Sequence, residues 1–365
     1  TTSDAQRHGL KSNHIRSIIK DRSGTIWIAT KFEGLFLHDF SKTIFSRWPQ
    51  KYNLFVKLKD KYILDFYEDW KYDKVYWLAS KFEGLYRVDL SKNTIANYRH
   101  NTYKPTTISA NRVHSVERDY YGDLYIGSEN GLDLFVERHR EFDHISNIPV
   151  EILKADKHKN LWIGTDEGVF ILNRNEGRME RHRSTHDFFK SNIEITYIFE
   201  DTEDNIWFST DHSGLYAYHF KTDRLKTYTQ DLPGDKSISS DQVRPVFQDS
   251  KKNIWIGTKT GGLNRIDAQT GEFLTFTTEH GLPTDFILGI EEDLQENIWI
   301  GTHNGLSRFD HEKSAFTNFN KEYGLYNNIF EIRVTHNFGD GCLLFGGNNG
   351  FNIFDTDSID YKKSV

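Results

Sequence analysis

Residues 249–267 read DSKKNIWIGTKTGGLNRID: a polar turn after an aspartate, an apolar strand Ile-Trp-Ile-Gly-Thr, a second turn closing on Gly262-Leu263, and a third strand ending in Asp267. The same pattern occurs eight times along the chain. Its central apolar position is Trp27, Trp77, Tyr125, Trp162, Trp207, Trp255, Trp299 and Leu344, at spacings of 37 to 50 residues. The glycine of the second turn keeps step as Gly34, Gly84, Gly131, Gly168, Gly214, Gly262, Gly305 and Gly350. A period of this size decides the architecture before any single residue does, because each copy is one supersecondary unit that must bury its faces against its neighbours.

Each copy opens on a β-branched and aromatic run bounded by polar turns, the chemistry of a strand: residues 15–21, 63–69, 113–119, 150–156, 195–201, 243–249, 287–293 and 330–336. Most of these runs end in aspartate, with Gly or Asn following closely, which suits a tight hairpin. The second strand is apolar on both faces, so it needs a sheet packed against each side. A fourth, weaker strand follows at 225–228, 273–276 and 316–319. Four antiparallel strands with two apolar faces survive in water only as one of a ring of such sheets. The predicted fold is therefore all-β, a β-propeller of eight four-stranded repeats starting near 13, 62, 111, 149, 193, 241, 285 and 328, forming a single domain over 1–365. Eight blades is the most literal count. Seven follows if a terminal repeat lies outside the ring, since the last copy ends at 351–355 without a convincing fourth strand. Each tryptophan is expected to fill the wedge between blades, removing about 200 Å² from water, worth roughly 5 kcal/mol before entropy.

Composition agrees with one folded unit. Hydrophobic residues make up 37% and charged residues 27%, six prolines are spread along the chain, and no low-complexity run marks a linker. A net charge of -7 with scattered Lys and Arg argues against nucleic acid as a partner. The apolar runs are far shorter than the roughly 20 residues that span a bilayer, so the sequence as given reads as soluble. The one cysteine, Cys342, lies in a strand pattern and is expected to be a small buried hydrophobe.

The form Asp249…Ile254-Trp255-Ile256-Gly257-Thr258…Gly262-Leu263, repeated as Asp293…Ile298-Trp299-Ile300-Gly301-Thr302…Gly305-Leu306, resembles the two-component regulator propeller repeat. The closing Phe345-Gly346-Gly347-Asn348-Asn349-Gly350-Phe351-Asn352-Ile353-Phe354 is similar to the last propeller repeat before the immunoglobulin-like domain of such sensors. Departures at Tyr125, Ser128, Val169, Leu344 and Gly347 keep apolar or small character. The resemblance implies part of the periplasmic sensor region of a hybrid two-component system that regulates glycan use in Bacteroidetes. It implies an oligosaccharide ligand, a homodimer formed through the full-length protein, and an adjacent immunoglobulin-like domain and membrane-anchored histidine kinase. Any catalysis would belong to that kinase.

The residues themselves offer little chemistry. The recurrent aspartates sit at one structural position per copy, where each is expected to cap its own turn rather than bind metal. The histidines make no ligand set with zinc spacing, and there is neither a phosphate loop opening a helix nor a serine elbow. Catalytic residues, metal and cofactor are all expected to be none. In a propeller the second-to-third turns and the connections between repeats share one face, and that face is the expected binding surface. Its candidates are Arg16, Phe32, Glu33, Phe82, Glu83, Tyr103, Arg112, His114, His212, Arg244, His303, Asn304 and Tyr323. Near the start of the innermost strands, Arg16, Leu64, His114, Glu151, Thr196, Arg244, Leu288 and Glu331 align as a mostly polar row, which suggests exposure to the central channel. Aromatic planes beside Arg, Glu and Asn suit a sugar, with its apolar ring face and rim of hydroxyls. The expected function is a sensor module that binds an oligosaccharide. The alternatives are a protein-binding scaffold and, less well supported by the acid/base content of the channel, a glycan lyase or hydrolase.

Overall fold

A computed structural model describes residues 14–22, 25–38, 45, 48–184, 186–231 and 237–359. It contains eight antiparallel sheets, each built from consecutive strands, six with four strands and two with three. The observed strands follow the repeat: Val243–Gln248, Ile254–Thr258, Leu263–Ile266 and Phe273–Phe276 make up the sixth sheet, with the sequence order preserved across it. No helix among the described residues is long and apolar enough to cross a membrane.

Seven apolar cores join seven sheets into a ring. Trp77 packs against Val113, Ile126 and Phe135 of the third repeat, and Tyr125 lies with Leu153 and Ile163 of the fourth. The succession continues with Trp162 against Phe208, Trp207 with Val243 and Ile256, Trp255 with Ile290 and Ile300, and Trp299 with Phe330 and Phe354. The last core joins Leu344 and Ile353 of the eighth repeat to Phe66 and Leu78 of the second. The wheel is thus closed by repeats 2 to 8. Of the two blade counts left open by the sequence, the packing is that of seven.

Repeat 1 stands outside this ring. Its first strand, Ile15–Lys20, is exposed along its whole length, and Ile18, Ile19, Leu35 and Leu37 are each more than half exposed. None of its described residues enters a core, so Trp27, unlike the other five repeat tryptophans, fills no wedge between blades.

The eighth sheet has three strands, Phe330–Asn337, Cys342–Gly347 and Gly350–Asp355. The chain just before the ring stands where its outer strand would be. In the sixth repeat a side chain on Gly262 would meet the carbonyl of outer-strand Phe276 at 2.2 Å. In the eighth, a side chain on Gly350 would meet the carbonyl of Lys59 at 1.4 Å. Lys59 follows a 3-10 helix, Gln50–Leu58, whose Tyr52, Leu54, Phe55 and Leu58 are buried in the closing core. Phe45 lies one wedge earlier, in the core between repeats 7 and 8, packing edge-on to Phe319 and Phe354. Cys342 is buried in the closing core, where burial pushes its thiol up to about 12.

The aspartate that ends the first strand does more than cap a turn. Asp249 Oδ1 accepts the backbone N–H of Asn253 at 2.8 Å, while Oδ2 accepts the Trp255 indole N–H at 2.8 Å.

Candidate functional site

The face built from second-to-third turns is rigid. Each turn glycine is left-handed, and in repeats 2, 5, 6 and 7 its N–H donates to the incoming connection, as Gly262 does to the carbonyl of Asp285 at 3.0 Å. The preceding threonine hydroxyl donates back to the glycine carbonyl, at 2.8 Å for Thr258 and 2.7 Å for Thr302. These bonds fix the rim of the central channel before any ligand arrives.

Within that rim the channel mouth gathers charge from several blades. Arg244 donates to Asp211 and to the carbonyl of Val243, and His212 lies 2.8 Å from the same carboxylate. Burial works to raise Asp211, but Arg244 outweighs it and holds that carboxyl below the usual range. Glu194 is moved upward, chiefly by burial and then by Asp211 and Glu151. His114 Nδ1 is 3.2 Å from Glu151, whose backbone carbonyl accepts from Arg333. Burial opposes ionisation of Glu151 too, but the His114 hydrogen bond leaves it below its ordinary value. Across the ring seam, the Tyr62 hydroxyl donates to Glu331 at 2.5 Å. Lys81 Nζ stands 4.3 Å over the Tyr62 ring, and Phe82 meets that ring edge-on.

The predicted candidates separate into groups. His114, His212 and Arg244 line the mouth, and Arg112 is exposed within electrostatic reach of Tyr62 and Glu151. Phe82 and Glu83 lie at the rim, with Glu83 bound to Lys61 at 2.7 Å. His303 stacks on Phe286 at 5.4 Å, and Asn304 is held in its turn by Thr302. The other five stand elsewhere. Arg16, Phe32 and Glu33 belong to the sheet outside the ring, where Phe32 meets His14. Tyr103 is 97% exposed on the connection after the outer strand Thr94–Tyr98. Tyr323 packs on Phe319 at the outer edge, and its carbonyl accepts from Phe45.

Sequence reading missed a second tier, deeper in the channel. Glu117 and Glu291 are half-buried in its wall, and burial pushes each up to about 7. Lys154 partly offsets this for Glu117, and a hydrogen bond from Thr335 does so for Glu291. Asp65, buried beside Ser115, accepts the N–H of Val116 at 2.8 Å. The signal was available: two residues before the terminal aspartate the repeats carry Tyr67, Glu117, Lys154, Phe199, Phe247 and Glu291. Among the described residues, no three His, Cys, Asp or Glu side chains converge in a way that could hold a metal ion.

This fold and this charged mouth can be set beside known proteins. Residues 9–32 match the family model for the two component regulator propeller. Among solved structures, the chain resembles the extracellular domain assigned to hybrid two component system BT3049 of B. thetaiotaomicron, with a TM-score of 0.74 at 23% identity over 96% of this chain and 46% of that one. The extracellular domain assigned to hybrid two component system BT4673 of that organism gives a TM-score of 0.64 at 21% identity, over 95% and 47%. Virginiamycin B lyase from Staphylococcus aureus gives 0.60 at 10% identity, over 81% and 95%. At these identities the likeness is one of fold. The present chain spans about half the length of the two component propeller domains it resembles. No curated protein sequence matches it.

Proposed function

We propose that this chain is the ring-forming part of a periplasmic sensor region in a hybrid two component signalling protein. On this reading the channel mouth binds a glycan-derived oligosaccharide and the chain itself performs no catalysis. The signal passes to a histidine kinase outside this stretch, through a homodimer and an intervening immunoglobulin-like domain. The exposed apolar sheet of repeat 1 then belongs to a neighbouring propeller of the longer protein, which is supported by seven cores that are complete without it.

The observation that carries the ligand assignment is the convergence of Tyr62, His114, Glu151, Arg244 and Glu331, from five repeats, on one channel mouth beside the Lys81 and Phe82 rim. Fixed donors and acceptors next to exposed ring faces match the hydroxyls and apolar faces of a sugar. Calorimetric titration of the chain with a panel of oligosaccharides tests this. Saturable binding that Arg244→Gln weakens at least tenfold, with the fragments recovered intact, is the expected result. Silence across the panel, or released product, would count against it.

A further inference from the structure

Away from the channel, a cavity of about 510 Å³ opens on the side of the ring between repeats 2 and 3. Its wall includes Trp77, Tyr98 and Phe135 together with Arg87, Lys92 and Arg140. Part of this wall is structural, and the repeats show which part. The outer-strand ring rests on the blade tryptophan throughout, at 6.0 Å for Trp77–Tyr98, 5.8 Å for Trp207–Tyr228, 6.0 Å for Trp255–Phe276 and 5.7 Å for Trp299–Phe319. Two of these partners are phenylalanine, so the contact needs the ring and not a hydroxyl.

What repeats 2 and 3 add is Arg140, since an arginine beside the blade tryptophan recurs as Arg265, 5.6 Å from Trp255. The Arg87 guanidinium lies 5.8 Å from the Trp77 ring centre and 3.2 Å from Asp89. Arg140 stands in the turn before the outer strand at φ 54°, a left-handed position that the matching turns fill with Asn93, Gly177, Asp223, Gly271 and Ser314. Gly, Asn and Asp tolerate that backbone, whereas a long side chain there is strained, and such strain collects at functional positions. Among the described residues Arg140 has no hydrogen bond or ion pair. Burial raises the Tyr98 hydroxyl, and Arg140 and Arg87 pull it the other way, so both guanidiniums lie within electrostatic reach of it. The one carboxylate in the wall, Glu137, is already held by Arg118 at 2.8 Å and by the Tyr72 hydroxyl at 2.7 Å. The corresponding cleft between repeats 5 and 6 has the opposite balance, with Lys226 and Lys252 against Asp201, Glu203 and Asp267.

We propose that the cleft between repeats 2 and 3 is a second binding site, taking a sugar-sized molecule that carries a sulfate or carboxylate. Arg87, Arg140 and the Tyr98 hydroxyl are its donors. Planar guanidiniums match the paired oxygens of either group, and the volume falls within the range of small-ligand sites. The site is independent of the channel mouth, so the two readings can fail separately.

Glucuronic acid, glucose 6-sulfate, glucose and inorganic sulfate would be titrated into the intact chain at low salt. At least one of the two anionic sugars is expected to bind tenfold or more tightly than glucose, and which one names the oxyanion. Arg140→Gln is expected to weaken that binding about tenfold, and Tyr98→Phe by a smaller factor. The latter variant keeps the ring that Phe276 and Phe319 supply in their own blades, so its fold is secure. Arg244→Gln at the channel mouth is expected to leave it unchanged. Equal binding of glucose and the anionic sugars, binding unmoved by Arg140→Gln, or inorganic sulfate binding as tightly as either sugar would overturn the proposal.

Discussion

The Trp255 indole nitrogen donates to Asp249 Oδ2 at 2.8 Å, and the same bond joins Trp27 to Asp21, Trp77 to Asp69, Trp162 to Asp156, Trp207 to Asp201 and Trp299 to Asp293. In the five ring blades that carry the tryptophan, the aspartate ties its turn to the side chain that fills the wedge between blades. Asp249→Ala removes the acceptor for the indole, for the Asn253 N–H and for the Asn253 side-chain amide at 2.8 Å. Leaving these buried donors unpaired is expected to cost about 3 kcal/mol, read from urea unfolding. A double-mutant cycle with Trp255→Phe should return a coupling of about 1 kcal/mol or more, and strict additivity would contradict the clasp.

Repeat 3 solves the same problem with other residues. Tyr125 stands where the tryptophan would be and Asp119 is held instead by Arg174, which also binds Asp123 at 2.6 Å. Arg174→Ala is expected to destabilise the wild-type ring by about 2 kcal/mol, since it strips a charged partner from a buried carboxylate. In a Tyr125→Trp background, where an indole N–H can take its place, the loss should fall to about half or less. Equal losses in both backgrounds would show that Arg174 acts elsewhere.

Ring closure rests on a helix substituting for a strand. Phe55 is fully buried and joins the Gln50–Leu58 helix to both blades at the seam, meeting Phe66, Tyr76 and Phe351. Phe55→Ala is expected to cost about 3–5 kcal/mol and to expose the seam to proteolysis near residue 59 before the blades unfold. Gly350→Ala should have a similar effect, because the added methyl collides with the Lys59 carbonyl. A thermal transition unchanged by both variants would refute this closure.

The blade was legible because its determinants are local and repeat. Trp255, Gly262 and Asp249 each have a fixed job within some 20 residues, and eight copies average out the departures. Ring membership was not local. Repeat 1 carries Asp21, Trp27 and Gly34 as the others do, and only the absence of a neighbouring sheet sets it apart, which no pattern inside the repeat encodes. The closing helix escaped detection for a related reason: residues 50–58 are buried by partners almost 300 positions away, such as Phe338 and Asp340. At the mouth, the aligned row identified His114, Arg244, Glu151 and Glu331 because inner-strand register is periodic. Phe32, Tyr103 and Tyr323 came from loop aromaticity alone, which carries no register.

The channel carboxyls make stability depend on pH in a definite direction. Burial holds Glu117 and Glu291 at about 7 in the fold, above the ordinary value near 4.5. As pH rises from about 4.5 to 7, the unfolded chain gives up these protons first. The folded state then binds more protons than the unfolded state, so each step in pH weakens it until both groups have ionised. The groups facing Glu117 are Lys154, Asp65 and Tyr197, and those facing Glu291 are Thr335, His336 and Tyr197. The melting temperature is therefore expected to fall between pH 5 and pH 8. Glu117→Gln or Glu291→Gln, which keeps the shape and discards the charge, should flatten that slope, raising the melting temperature at pH 8 and leaving it nearly unchanged at pH 5. Scanning calorimetry of the three proteins across this range checks it, and variant profiles parallel to the wild type would remove these carboxyls from the account.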